Sequence, residues 1–163
     1  MASGNFTIAE IGQSLRSVVQ PLIDGAWAGP MIAVNGRLWD TRKLPGIAAL
    51  DESGEPVGYL LYAFHGGVCE IMALESLREN KGIATRLIER VKRIAKERGV
   101  KKVTVMTTND NIRAIRFYQM RGFTLRALRP NMLEISRRLK PEIPLTGAGG
   151  IPIRDEIEFE IEV

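Results

Sequence analysis

The sequence holds one cysteine and one histidine among 163 residues. The lone thiol, Cys69, cannot close a disulfide within the chain, and with His65 as the only imidazole no Cys/His zinc cluster can be assembled, so no metal is expected. Unpaired cysteine fits a reducing compartment, and the expectation is a cytoplasmic protein. No apolar run approaches the roughly 18 residues that a membrane-spanning helix needs, and Met1 to Phe6 lacks the basic-then-apolar order of an export signal. A membrane partner is therefore not expected. Neither a G-x-x-x-x-G-K-[ST] loop nor a G-x-G-x-x-G after a strand-like run is present, which removes two common nucleotide-binding signatures. What the chain does have is 45% hydrophobic and 26% charged residues, the balance of a globule with a real core rather than of a disordered or collagen-like chain. The length suits one domain, residues 1–163.

The net charge of +4 hides a division along the chain. Between Glu75 and Lys102 ten lysines and arginines stand against four glutamates, whereas from Ile151 to Val163 one arginine stands against five acids. A basic stretch points to an anionic partner, either a phosphorylated small molecule or nucleic acid, or else to a solvated helix face. Its cations alternate with Glu89 and Glu97 as on an ordinary solvated helix, so nucleic acid is not expected.

Local patterns divide the chain into strands, then helices. Thr7 and Glu10 have capping-box spacing, with Phe6 and Ile11 as a staple, which predicts a helix starting near Thr7 and interrupted near Pro21. Asn35-Gly36 joins the strand-like runs Met31 to Val34 and Arg37 to Trp39, and a second hairpin joins Gly46 to Leu50 with Val57 to Phe64. His65-Gly66-Gly67 then turns the chain into Val68 to Leu74. The first half reads as an antiparallel meander. After it, Ile83, Ala84, Leu87, Ile88, Val91, Ile94 and Ala95 recur at helical spacing up to Gly99, and the β-branched run Val100 to Thr107 follows. Strand, helix and strand in that order form a crossover, so Val68 to Leu74 and Lys102 to Thr107 should run parallel. Next come a helix from Asn111 to Arg121, a strand from Phe123 to Leu128 and a short helix stopped by Pro141. Gly147-Ala148-Gly149-Gly150 reads as a mobile connector. Ile157, Phe159, Ile161 and Val163 alternate with Glu156, Glu158, Glu160 and Glu162, predicting a last strand with an acidic outer face. Such a strand could join the chain's own sheet or that of a second copy in a homodimer.

Glu79-Asn80-Lys81-Gly82-Ile83-Ala84 lies where a strand has ended and a helix begins. Gly82 and Ala84 leave backbone amides uncovered at that helix N-terminus, a place suited to a phosphate. This loop on a crossover, followed after the next strand by N-x-x-A-x-x-F-Y-x-x-x-G-F at Asn111 to Phe123, resembles the GNAT superfamily of acetyl-CoA-dependent N-acetyltransferases from about Gly46 to Leu128. Residues 131–163 then form a C-terminal extension. The resemblance implies an α/β (α+β) fold with an antiparallel N-terminal meander, a central parallel strand pair that splays apart, and helices on both faces.

It also implies roles. The segment Glu79 to Ala84 corresponds to the family's Q/R-x-x-G-x-G/A loop, which holds the cofactor pyrophosphate through backbone amides. Glu79 departs from the Gln or Arg of that pattern, so it should turn away while Arg78 and Lys81 supply countercharge. Met72, Ala73 and Leu74 match the strand edge that pairs with the pantetheine arm. Asn111 matches an asparagine near that arm, and Tyr118 the tyrosine that protonates the departing thiolate. The implied donor is acetyl-CoA and the acceptor an unidentified amine, a small molecule or a peptide, attacking directly in a ternary complex. An alkylammonium with a pKa near ~10.4 gives up its proton at neutral pH at a cost of about 4 to 5 kcal/mol, so a base is needed. Glu70 resembles in position the glutamate that some members use, directly or through water; on residues alone a strand glutamate is more often a solvated or paired one. His65 reads as a surface turn residue and Cys69 as a small buried hydrophobe. Trp27, Trp39, Tyr62 and Phe64 are candidates for lining the acceptor pocket. A non-catalytic CoA sensor or interaction module with the same fold is the alternative.

Overall fold

The computed structural model describes residues 4–79 and 81–163. Along it run β1 (Phe6–Glu10), α1 (Gln13–Trp27), β2 (Met31–Val34), β3 (Arg37–Asp40), β4 (Gly46–Asp51), β5 (Pro56–His65) and β6 (Val68–Ser76). They are followed by α2 (Ile83–Glu97), β7 (Lys102–Thr108), α3 (Ile112–Met120), β8 (Thr124–Arg129), α4 (Met132–Leu139) and β9 (Glu156–Glu162). Seven strands form one sheet in the order β1-β4-β5-β6-β7-β9-β8, and β2 with β3 forms a separate ribbon. Among the described residues only β6 and β7 run parallel; the other neighbours are antiparallel. The amphipathic pattern of α2 buries Ile83, Leu87, Ile88, Val91, Ile94 and Ala95 on one face of the sheet, where Val103, Val105, Tyr118 and Phe159 join them. On the other face Val19 and Ile23 of α1 pack with Tyr59, Leu61, Met72 and Ala73. This is the expected mixed sheet with helices on both sides. Among the described residues no helix is long and apolar enough to cross a membrane.

Three local expectations are corrected. Phe6 to Glu10 is a strand, not a helix start, because its backbone pairs in register with β4 from Phe6↔Asp51 to Glu10↔Ile47 and buries Phe6 while exposing Thr7. Those tertiary bonds outweigh a capping signal worth about 1 kcal/mol. Helix α1 starts instead at Gln13 and continues through Pro21, which sits on its exposed side. Gly147 in the glycine-rich loop is closely packed rather than a free tether: a side chain there would stand 1.9 Å from Asp110 Oδ2, and the loop closes with Gly147 N donating to Ile151 O.

The tail departs most. β9 lies between β7 and β8, so its two edges are both taken within the chain. Phe159 is fully buried as expected, but Glu156 and Glu158, expected to face solvent, are only 3% and 5% exposed. The ribbon β2–β3 covers that face. Its Asn35-Gly36 turn, with Asn35 at φ 51, aims the Asn35 amide at both carboxylate oxygens of Glu156, each 3.1 Å away. Glu158 Oε2 accepts from Arg126 Nη1 at 3.0 Å and from Arg129 Nη2 at 3.3 Å. Period two predicts which side chains share a face, not what lies over that face. Because β9 supplies both neighbours with their partner, removal of residues 156–163 is expected to abolish cooperative thermal unfolding, as followed by circular dichroism; a wild-type melt would show the strand to be dispensable.

Candidate active site

The pairing of β6 with β7 ends after three register pairs, Cys69↔Val103, Glu70↔Thr104 and Ile71↔Val105. Beyond them β7 stays bonded to β9 up to Thr108, while β6 continues along β5 to Ser76. A register shift in β5–β6 leaves Met72 opposite no residue of β5, between Tyr62↔Ile71 and Leu61↔Ala73, and a bulge of this kind bends its strand. The two strands therefore diverge where Met72, Ala73 and Leu74 present one backbone edge to a gap. The side chains of Met72 and Ala73 are buried in the core on the α1 side, so it is their backbone that the gap exposes.

A cleft of about 500 Å³ runs from this gap to the N-terminus of α2. Leu74, Glu75 and Ser76 line it from β6, Arg78, Glu79, Lys81, Gly82, Ile83, Ala84 and Thr85 from the loop and first turn of α2, and Asn111 to Arg121 from one side of α3. Gly82 is the N-cap of α2 at φ +72, a conformation that a side chain disfavours, and nothing fills the space where its Cβ would be. The first-turn amides thus open on the cleft, with the positive end of the helix dipole behind them. Asn80 lies outside the described residues.

Charge in the cleft is mostly basic, and α3 contributes more of it than the sequence motif indicated. Arg113, Arg116 and Arg121 line the cleft, as do Phe117 and Tyr118. Arg113 stands three and four residues before Arg116 and Phe117, and Arg121 three and four after Tyr118 and Phe117, which was the available signal that they share a helix face. The Arg121 guanidinium stacks 3.5 Å from the Phe117 ring centroid and its Nε donates to Thr85 Oγ1, fastening α3 to α2. Glu79 accepts from Arg113 Nη1 at 2.7 Å, which offsets the carboxylate charge beside the cleft. Arg78 lines the cleft while donating to Asp51 Oδ2 at 2.8 Å, so Arg78 is already held by an acid of the β4–β5 turn. Asn111 caps α3, its Oδ1 accepting from Ala114 N at 3.1 Å.

Tyr118 reaches the cleft from inside the core. It is 7% exposed and packs against Phe117, Phe123 and Phe159 with centroids 5.4 to 5.9 Å away. Burial pushes its phenol well above the usual range, which keeps the proton on oxygen at neutral pH.

On the α1 side of the same gap stand carboxylates. Glu70 is 3% exposed, and burial pushes its carboxyl above the ordinary glutamate range against the opposing effect of His65. His65, read from sequence as a surface turn residue, places Nε2 on Glu70 Oε2. Glu75, which the sequence reading passed over, lines the cleft and accepts from the Tyr59 hydroxyl at 2.6 Å, and Tyr59 in turn accepts from Trp27 Nε1 at 3.1 Å. Glu70 itself is not among the cleft-lining residues. Cys69 is buried with its thiol pushed up to about 12, which keeps it from acting as a nucleophile. Of the four aromatics expected near the acceptor, Trp27 and Trp39 belong to the α1 side, whereas Tyr62 and Phe64 pack edge to face on the α2 side.

A splayed parallel pair beside an open helix N-terminus is the arrangement that the sequence resemblance implied. Residues 21–123 match the model of the Acetyltransferase (GNAT) family. The chain belongs to that family. It is 46% identical over 133 residues to the uncharacterized protein YdhI of Bacillus subtilis (strain 168), covering 82% of this chain and 83% of that protein. Its fold matches the IAA acetyltransferase from Bacillus cereus ATCC 14579 with a TM-score of 0.71 at 18% identity, over 98% of this chain and 100% of that one. It also matches a GNAT family acetyltransferase from Elizabethkingia anophelis with acetyl-CoA bound, with a TM-score of 0.70 at 20% identity, over 98% and 99% of the two chains.

The cleft's anion end is open to a direct test. An aspartate at position 82 tolerates the left-handed conformation and turns its carboxylate onto the amides that Gly82 leaves open. Gly82→Asp is expected to fold, yet to lose the rise in melting temperature that a ligand of the native state produces when acetyl-CoA is added. An unchanged shift would remove this loop from the site.

Proposed function

We propose that the protein transfers the acetyl group of acetyl-CoA to a primary amine, of a small molecule or a peptide, by direct attack in a ternary complex. The observation that carries this reading is the gap between β6 and β7, with a basic cleft and the α2 N-terminus on one side and buried carboxylates on the other. Arg116, Lys81 and the first-turn amides of α2 suit the phosphates of coenzyme A, with Arg113 shared between them and Glu79. The free edge of Met72 to Leu74 suits the amide-bearing pantetheine arm, which would lie along it as a strand does. In this reading the thioester lies beside the bulge, between the core-anchored Tyr118 and the α1 side of the sheet.

In this reading Glu70 takes a proton from the acceptor ammonium, and its raised affinity for protons brings it nearer to the working pH of a base. The nitrogen lone pair then forms the C–N bond at the carbonyl carbon as the C–S bond breaks. Tyr118 gives its proton to the departing sulfur. Of the two protons the nitrogen sheds, one leaves through Glu70 and the other replaces the one that Tyr118 gave up. Acids on the acceptor side and cations on the donor side also draw the two substrates, of opposite charge, to opposite faces of the sheet.

Tyr118→Phe separates this reading from a non-catalytic CoA sensor, because it keeps the ring that fills the core and deletes the proton. Steady-state kinetics with an accepted amine should show kcat lower by about 10²-fold. Acetyl-CoA affinity by titration calorimetry should stay within about threefold, since the hydroxyl acts in the transition state. Turnover that survives within about threefold would remove Tyr118 as the acid. Wild-type protein that binds acetyl-CoA but acetylates no primary amine, peptide or polyamine would favour the sensor.

A further inference from the structure

Two observations about Glu70 are left unexplained by the base role alone. Its Oε1 is buried without a hydrogen-bond partner among the described residues, while its Oε2 is held by His65 Nε2. The two halves of this pair differ in access: the His65 side chain is 41% exposed and the Glu70 side chain 3%. His65 ends β5 and Glu70 lies in β6 after the Gly66-Gly67 turn, so the hairpin itself sets their approach. The imidazole is braced from the ribbon, with Trp39 5.6 Å away between ring centroids and the Arg37 guanidinium 4.6 Å from the Trp39 ring.

We propose that His65 is a positioning residue for the transfer reaction: it binds Oε2 of Glu70 and so leaves Oε1 as the oxygen free to take the acceptor's proton. The inference rests on Glu70 being the base. An ionised carboxylate only accepts hydrogen bonds, so the bond requires a proton on Nε2, and the neutral ring then carries its lone pair on Nδ1. Held in this way, the carboxylate cannot turn, and one of its oxygens is kept from competing for the substrate proton. The bond also favours the charged form of Glu70 against the burial that disfavours it. The other charges that act on Glu70 are Glu158 and Glu156 of β9, which oppose its ionisation, and Arg129 of β8, which assists it. His65 is the one of these that contacts the carboxylate directly and does not depend on β8 or β9. During turnover the ammonium proton moves to Oε1, His65 keeps its Nε2 proton, and the carboxyl proton is later lost to solvent.

The experiment uses the full chain with His65→Ala, which removes the donor, and His65→Gln, whose amide nitrogen stands where Nε2 does. Two readouts are followed: the carbon-13 carboxyl titration of Glu70 by NMR, and the acidic limb of kcat/KM against pH. Loss of a bond to the charged form raises the folded-state pKa of Glu70, so in His65→Ala both midpoints should move to higher pH by about one unit, with kcat at neutral pH lower by about tenfold. His65→Gln should restore both, and acetyl-CoA affinity should be unchanged in either variant because His65 does not line the cleft. A Glu70 titration that does not move in His65→Ala overturns the positioning role and leaves Glu70 as the base. A titration that moves while the kcat/KM limb stays overturns the base reading, and the positioning role with it. Failure of His65→Gln to restore either midpoint also overturns the proposal.

Discussion

Everything at this site depends on two parallel strands that pair and then part. A backbone edge that loses its partner inside a protein leaves amides and carbonyls unsatisfied, which is costly unless something else meets them. The parting of β6 and β7 is tolerated because each strand is anchored along its length on its other side, β6 by β5 and β7 by β9. The bulge at Met72 bends β6 at the same point. The gap is therefore held open by β5 and β9, neither of which lines the cleft. α2 and α3 bring their cations to it only because the crossover puts the N-terminus of α2 at the end of β6 and that of α3 at the end of β7.

The sheet also separates charge. Its α2 side opens into a cleft edged by Arg113, Arg116 and Lys81, while the α1 side carries Glu70, Glu156 and Glu158 nearly out of water. Buried acids are destabilising unless hydrogen-bonded. Glu156 meets that requirement through the Asn35 amide, and Glu158 through Arg126 and Arg129. The ribbon β2–β3 and the arginines of β8 thus hold a group of carboxylates close together. Glu70 is the one whose hydrogen bonding is incomplete, and it lies one residue before the end of the β6–β7 pairing.

The order of strand and helix, the parallel pair, the loop at Gly82 and the helix carrying Asn111 and Tyr118 were legible because each rests on local pattern. Glycine before an amphipathic run and a 3.6-residue period need no knowledge of distant residues. Where tertiary contact decides, the sequence was silent or misleading. Phe6 to Glu10 carried a helix-start signal that edge pairing with β4 overrode. The tail glutamates alternated as a solvated face does, and Glu162 is exposed, yet Glu156 is buried under the ribbon's Asn35 and Glu158 under the arginines of β8. The His65 contact with Glu70 was hidden for a different reason: five residues across a hairpin bring side chains together only when the register is known.

The insertion of β9 between β7 and β8 also fixes an order of assembly. During synthesis β7 emerges with only β6 to bond and β8 with no neighbour at all, since the strand that joins them is more than 25 residues further along the chain than β8. Until Glu156 to Glu162 arrive, β7 has one bare edge and β8 has two. The sheet strands β1, β4, β5 and β6 can condense around α2 early, but the half that holds Tyr118 in place must wait, and nascent chains paused before residue 156 expose strand edges of the kind that recruit chaperones or each other.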